Sequence, residues 1–362
     1  MEPLNKTNVE DYLKRNVFSH LKFVKSGQIQ DVKIANAGLV SHVLRVVVDE
    51  TPFYIKQSIP GQQKYLKIFK TPADFNYLFN DQRQIYELKA LKIFEKAVGR
   101  GIAPHIYFYD KKNQILILSE VCFPKAKLLE DIISQEVNLK ASIKLAKIAA
   151  ELVNNTYDQI KPLRPYDGDQ KIKFIKLKYQ CLEVYQKLSS DVAVSVKKAQ
   201  EKLIQESMEI NNVLVHGDYH PRNILIDEED VGTFDLEEAH LGDPAFDIGI
   251  LLGSYLLRAV YYPKIRAQAF RAMKAMIQEF YNSLKVPEEK QALDRRIKQH
   301  AGGLMLCRID GLPSRWTKWV KDERKKEKIR TVAADFILDQ SNFCELLDKW
   351  KNKFGIIDLC LS

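Results

Sequence analysis

What this sequence lacks narrows it at once. No run reaches the ~18 uncharged apolar residues that a membrane-spanning helix needs; the most apolar stretch, 248–257, runs straight into Arg258. The first residues, Met1-Glu2-Pro3-Leu4-Asn5, have no basic start followed by an apolar core, so no secretory signal is expected. The five cysteines, Cys122, Cys181, Cys307, Cys344 and Cys360, are odd in number and scattered. They suit neither a disulfide framework nor a metal cluster, and reduced thiols in the cytoplasm are the expectation. There is no internal repeat and no low-complexity linker. The net charge of +9 is spread along the chain. Its one dense run, 318–328, interleaves acids with bases as a solvated helix face does. No specific nucleic-acid partner and no membrane are therefore expected, while a basic surface also suits nucleotide phosphates.

With 362 residues, 46% apolar and 28% charged, the chain reads as a soluble protein too long for one simple core. A leading helix over 8–21 is followed by β-rich runs at 43–48 and 53–57, joined by the turn residues 49–52. Ile85, Leu88, Leu91, Phe94 or Glu95, and Val98 at three-to-four spacing predict a helix over 82–98, stopped by Gly99-Arg100-Gly101. A second hairpin, 106–109 with 115–121, turns at 110–113. That order predicts a small antiparallel sheet carrying one main helix. Near residue 123 the pattern becomes helical: 128–133, 139–153, 174–188 and 192–207, then 247–261, 265–284, 288–306 and 322–351. Segment 162–170 reads as a loop. The expected domains are 1–122 and 123–362.

Between the two helical runs stands Val215-His216-Gly217-Asp218-Tyr219-His220-Pro221-Arg222-Asn223-Ile224-Leu225-Ile226, and then Phe234-Asp235-Leu236-Glu237. The short apolar runs 224–226 and 231–234, with the acidic 227–230 between them, predict a hairpin. Asn223 then enters one strand and Asp235 leaves the next. An Asp, an Asn five residues on and a second Asp across a hairpin form a phosphoryl-transfer layout. The first carboxylate holds the attacking hydroxyl; the Asn and the second Asp hold Mg²⁺ on nucleotide phosphates. Glu237, two residues on, points to the same side as Asp235 in an extended chain and is either a second metal contact or a salt-bridge partner.

Together with Gly242-Asp243-Pro244-Ala245-Phe246-Asp247-Ile248-Gly249, these residues resemble the aminoglycoside phosphotransferase and choline kinase group, which includes methylthioribose kinase. The resemblance is strongest over 213–257 and extends to 34–121. It implies a two-lobed, protein-kinase-like α+β fold: a small antiparallel β-lobe that binds nucleotide, and a larger, mainly helical lobe that binds the acceptor. It implies ATP-dependent transfer of the γ-phosphate to a hydroxyl of a small molecule, with ATP and Mg²⁺ as cofactors, in a cytoplasmic monomer or homodimer. By the resemblance, Asp218 is the catalytic carboxylate, Arg222 stabilises charge on the transferred group, and Asn223, Asp235 and Glu237 are metal ligands. Lys56 contacts the α- and β-phosphates, paired with Glu87 (Glu95 as fallback). Gly38 and Ser41 belong to a phosphate-covering loop. Glu120 and Cys122 belong to the hinge backbone that reads the adenine edge. His216 is expected to buttress the loop. Asp243 and Asp247 hold the fold, Asp247 by capping the next helix and tying the catalytic loop.

Two features depart from related patterns. Only Gly38 stands where protein kinases carry several glycines. Methylthioribose kinases usually lack the Asn found here at 223. The alternatives are a catalytically weak nucleotide-binding regulator and a protein-kinase-like enzyme. Retention of Asp218 and Asp235 argues against the first. The absence of an activation segment ending in Ala-Pro-Glu argues against the second. Candidate acceptor-lining segments are 166–169, 307–310 and 315–316; the acceptor itself is a sugar, amino alcohol or aminoglycoside-like compound.

Overall fold

The computed structural model describes residues 2–37, 41–58, 83–121, 126–163, 166–182, 184–228, 230–311, 314 and 317–356. Its chain divides into two units, 1–122 with 234–238, and 123–233 with 239–362. The short return of 234–238 to the first unit has no counterpart in the sequence reading, which cut the chain once.

The first unit is a five-stranded antiparallel sheet. Its strands are β1 (Ile29–Ala37), β2 (Ser41–Val48), β3 (Thr51–Ser58), β4 (Ile106–Asp110) and β5 (Ile115–Ser119), in the order β1-β2-β3-β5-β4. Strand β1 was not expected; its residues, 29–37, pair with β2. Helix α1 (Val9–Asn16) lays Val9, Tyr12 and Leu13 on one sheet face, against Leu44, Val46, Phe53, Ile55 and Ile117. The β2–β3 turn uses Asp49 and Glu50, both at positive φ (46° and 67°), the left-handed pair that a two-residue hairpin demands. Asp49 is steadied there because its carboxylate accepts from the backbone N–H of Lys25, Ser26 and Gly27 at 2.6, 2.9 and 3.0 Å.

Helix α2 (Arg83–Val98) is rotated from the apolar face that the sequence suggests. Gln84, Glu87, Ala90, Leu91 and Phe94 are buried, while Ile85, Leu88 and Val98 are only partly so. Polar Gln84 and Glu87, three residues apart on one face, point inward because each has a partner on β3. Gln84 Nε2 donates to the Lys56 carbonyl at 2.9 Å, and Glu87 receives the Lys56 ammonium. Counting apolar residues cannot see a face that is buried through polar contacts.

The second unit holds two small sheets among helices. One is the ladder β6 (Lys127–Leu128), β8 (Ile224–Ile226) and β9 (Val231–Thr233); the other pairs β7 (Val213–Val215) with β10 (His240–Gly242). Its helices are α3 (Leu129–Ile132), α4 (Leu139–Thr156), α5 (Tyr166–Leu177), α6 (Ser190–Glu209), α7 (Ala245–Tyr261), α8 (Arg266–Ser283), α9 (Lys290–Asp310), α10 (Glu323–Leu338) and α11 (Phe343–Lys353). Two expectations are corrected. Segment 166–170 is the first part of α5 and not loop. The stretch 322–351 is two helices, because Asn342 starts a fresh one with a reciprocal capping box to Glu345.

Helix α7 is buried on every side, as its apolar run requires. It sits close to α9 because glycines face that helix. A methyl group at Gly253 would lie 2.6 Å from the Ala301 carbonyl oxygen, and one at Gly249 would lie 2.6 Å from His300 Cβ. Just before α7, buried Asp243 accepts from the Ala245 N–H at 2.9 Å and from Arg296 Nε at 2.8 Å. The N-cap of α7 is Pro244, and Asp247 does not cap the helix; the side-chain acceptor at its start is Asp243, one residue before the cap.

Candidate active site

Two clusters of polar side chains gather the residues expected to carry chemistry, one on each unit. In the first, Lys56 projects from β3 and is buried. Its Nζ lies 2.8 Å from Glu87 Oε2, 2.5 Å from Asp235 Oδ1 and 3.1 Å from Glu237 Oε2. Glu95, the alternative partner, is engaged elsewhere, with His105 Nδ1 at 3.0 Å and Arg100 Nε at 2.9 Å. Burial opposes a charged Lys56, but Asp235, Glu237 and Glu87 outweigh it and hold its pKa well above the usual lysine value. The same crowding acts on Glu87. Burial, offset by Lys56 and reinforced by Asp235 and Glu237, pushes it up to about 7. Asp235 has φ +69°, a left-handed conformation that an Asp tolerates better than most residues. The following 3₁₀ turn, Leu236–Glu238, then brings Glu237 to the same lysine. An extended 235–237, as the sequence suggested, is replaced by a turn with the same result.

In the second unit, β7 leads into the loop 216–220. Asp247, in the first turn of α7, receives the backbone N–H of His216 at 2.6 Å and of Gly217 at 3.1 Å. This ties the loop to the helix. Burial pushes Asp247 up to about 7, against those two donors. His216 is fully buried. Its Nδ1 accepts from the Asp218 N–H at 3.3 Å, and its Nε2 lies 2.8 Å from the Thr233 hydroxyl. Thr233 passes its own proton to the Asn223 carbonyl at 2.9 Å. His216 is therefore spent on loop geometry.

Asp218 is gripped from three sides. Asn223 Nδ2 donates to its Oδ2 at 3.0 Å, His220 Nε2 lies 3.2 Å from Oδ2, and Lys176 Nζ is 3.3 Å from Oδ1. Burial works against the carboxylate, but His220, Lys176 and Arg308 overcome it, and Asp218 stays well below the usual carboxylate range. Burial lowers His220 in turn. A neutral His220 with its proton on Nε2 fits both contacts, since its Nδ1 accepts from the Arg222 N–H at 3.2 Å. Neither Lys176 nor His220 as an Asp218 partner was singled out beforehand. Lys176 comes from α5, 42 residues away in sequence, and only packing brings it there.

The hairpin pairs Ile224 with Thr233, so Asn223 enters β8 at the end where β9 finishes, and Asp235 follows Thr233 by two residues. With its amide nitrogen held by Asp218, Asn223 has Oδ1 as the atom suited to a metal ion. Arg222, in the 3₁₀ turn Pro221–Asn223, is exposed. Ser41 is buried at the start of β2. The Glu120 side chain pairs with Arg45 at 2.6 Å, which leaves its backbone as the part relevant to a ligand. Gly38, Cys122, the 61–80 insert and residues 315–316 lie outside the described residues. Among the described residues no group of three or more His, Cys, Asp or Glu side chains forms a metal site alone. Mg²⁺ characteristically takes one or two carboxylates and completes its shell with phosphate oxygens and water. Asp235 in the first unit and Asn223 Oδ1 in the second are each hard oxygen donors of the kind that ion takes.

Residues 178–279, which contain Asp218, Asn223, Asp235 and Glu237, match the phosphotransferase enzyme family. Methylthioribose kinase of Escherichia coli O45:K1 (strain S88 / ExPEC) is 24% identical over 223 residues, 54% of this chain and 51% of that protein. The chain thus spans about half the length of that curated relative. Among solved structures, choline kinase from Cryptosporidium parvum Iowa II superposes with TM-score 0.52 at 12% identity, covering 98% of each chain. The GDP complex of an aminoglycoside 2′-phosphotransferase-IIIa mutant superposes with TM-score 0.50 at 14% identity, over 92% of this chain and 100% of that one. Residues 178–279 are thus similar to phosphotransferases, about half of the chain is similar in sequence to a small-molecule kinase, and the chain has the α+β, protein-kinase-like fold.

Proposed function

We propose that this protein is a kinase that moves the γ-phosphoryl group of a nucleoside triphosphate, ATP in the first instance, to a hydroxyl of a small molecule. The observation that carries the reading is Asp218: a partly buried carboxylate oriented by Asn223, His220 and Lys176. The structural aspartates Asp243 and Asp247 are also held but are buried, whereas the Asp218 side chain is held and still 28% exposed, as a carboxylate that must meet a hydroxyl has to be. In this reading Asp218 orients the attacking hydroxyl and takes its proton late, because its low basicity suits a transition state with little bond formation to the nucleophile. Lys56, held extended by Glu87, binds nucleotide phosphate oxygens. Asp235 and Asn223, with Glu237 as a further candidate, would hold Mg²⁺, which neutralises charge on the β- and γ-phosphates. Arg222, exposed at the mouth of the loop, supplies positive charge to the moving phosphoryl group.

A protein-kinase-like enzyme is disfavoured by length. From Asp235 the chain passes through one 3₁₀ turn and the three residues of β10 before α7 begins at Ala245. No stretch remains for a substrate-positioning activation segment. The test is a screen of Mg²⁺-dependent ATP and GTP consumption over sugars, thiosugars, amino alcohols and aminoglycosides, with product identified by ³¹P NMR. One class should accelerate consumption well above the rate in water. A complete lack of acceleration, with no nucleotide binding by calorimetry, defeats the proposal.

A further inference from the structure

On the second unit a pocket opens beside the Asp218 loop, lined by Glu130, His220, Arg222, Arg258, Arg308 and Trp319 among others. Three guanidinium groups and one carboxylate thus line it, with Asp218 close enough beyond His220 to feel the charge of Arg308. The lining carboxylate is already used, since Arg258 Nη2 donates to Glu130. Arg258 Nη1 donates to the Ser254 carbonyl at 3.0 Å, and its guanidinium lies over the Trp319 ring at 5.2 Å. Its Nε is fully buried and has no hydrogen-bond partner among the described residues. The guanidinium groups of Arg308, from the last turn of α9, and of Arg222 make no ion pair or hydrogen bond among the described residues. Burial lowers the Arg258 pKa; Glu130 opposes that and Arg308 adds to it. A half-enclosed cluster of like charges is costly unless an anion completes it. Arginine in particular takes carboxylates and phosphates through paired N–H donors. His220 lines this pocket and also touches Asp218, so pocket and carboxylate are continuous.

We infer that the acceptor carries an anionic group, carboxylate or phosphate, which Arg308 and Arg258 hold while its hydroxyl meets Asp218. The inference rests on the kinase reading and narrows its substrate class. The acceptor oxygen bonds to the γ-phosphorus as the bond to the β-phosphate oxygen breaks. The hydroxyl proton passes to Asp218 and the nucleoside diphosphate leaves. Quaternary ammonium and polycationic acceptors meet like charge in this pocket.

The experiment compares glycerate, glycerol 3-phosphate, glycerol and choline at equal ionic strength, using the full chain with Mg²⁺. Binding is read by calorimetry and turnover by nucleotide consumption. At least one of the two anions should bind about tenfold or more tighter than glycerol and choline, and which of the two does so separates carboxylate from phosphate recognition. Arg308→Gln should weaken that anion about tenfold or more, through KM rather than kcat, while Arg308→Lys keeps part of the affinity. Equal binding of the neutral or cationic compound, or an unchanged affinity in a folded Arg308→Gln protein, overturns the inference. The kinase reading is checked apart from the acceptor, by nucleotide hydrolysis in water. If hydrolysis depends on Asp218 and the anions do not bind, only the acceptor class falls. If hydrolysis is absent or independent of Asp218, the kinase reading falls with it.

Discussion

Around Lys56, three carboxylates meet one ammonium; in the pocket beside Asp218, three guanidinium groups meet one carboxylate. Both arrangements bury charge, with opposite signs in excess among the described residues. The first raises a carboxylate, Glu87, toward neutrality, and the second lowers an arginine. Stable proteins pair buried charges because unpaired ones cost several kcal/mol. Sites that leave an imbalance are the ones where a ligand of complementary charge completes the pairing. The contrast is the one expected if, as proposed above, a metal-bearing nucleotide completes the first cluster and an anionic acceptor the second.

The largest expected effect tests the second cluster. Asp218→Ala should lower turnover by several powers of ten while calorimetry still detects nucleotide binding, because the substitution removes the hydroxyl's acceptor and none of the Lys56 contacts. Retention of more than about a tenth of the wild-type rate would contradict that separation. Next is Asp235→Asn, which should weaken Mg²⁺·nucleotide binding by roughly ten- to a hundredfold, as loss of a metal-site partner does. An unchanged titration would remove Asp235 from the metal site.

A pH measurement sharpens the contrast further. Glu87 rises from an ordinary 4.5 to about 7 in the folded protein. Between those values the folded state holds a proton that the unfolded state has lost, so stability falls as pH rises through that window. Asp247, also raised to about 7, acts in the same direction. The melting temperature should therefore drop by several degrees from pH 5 to pH 8, and Glu87→Gln should flatten part of the drop. Parallel curves for the two proteins would show that Glu87 is not strained by its neighbours. The smallest effect concerns the scaffold. Gly253→Ala, which presses a methyl group onto the Ala301 carbonyl, should cost about 1–3 kcal/mol in denaturant unfolding. It should leave the binding preferences of both clusters alone.

Much of the fold was legible. The hairpins around 49–52 and 110–113, the switch to helices near 123 and the short hairpin after Asn223 all follow from turn residues and apolar runs. Strand β1 was missed because its register with β2 shifts between Ile34 and Asn36, which breaks the alternation that marks a strand. The inward face of α2 was misjudged because two polar residues occupy it. At the candidate site, Lys56 and Glu87 were both nameable and Arg308 lay in the segment 307–310 expected to line the acceptor, yet Lys176 and Arg258 were not weighed as neighbours of the loop. Isolated basic residues on helices carry no spacing signal.

The sequence alone determined which chemical groups were present and which could be close through local geometry. Asp218 and Asn223 stand five residues apart on one loop, and Thr233 is opposite Ile224 across a hairpin, so their meeting is a matter of short-range backbone preference. Tertiary structure decided the electrostatic surroundings. Whether Asp218 is ionised, which acids crowd Lys56, and which arginines share a pocket depend on helices docking over long separations. Coulomb energies depend on distance and burial, neither of which is written in the order of residues.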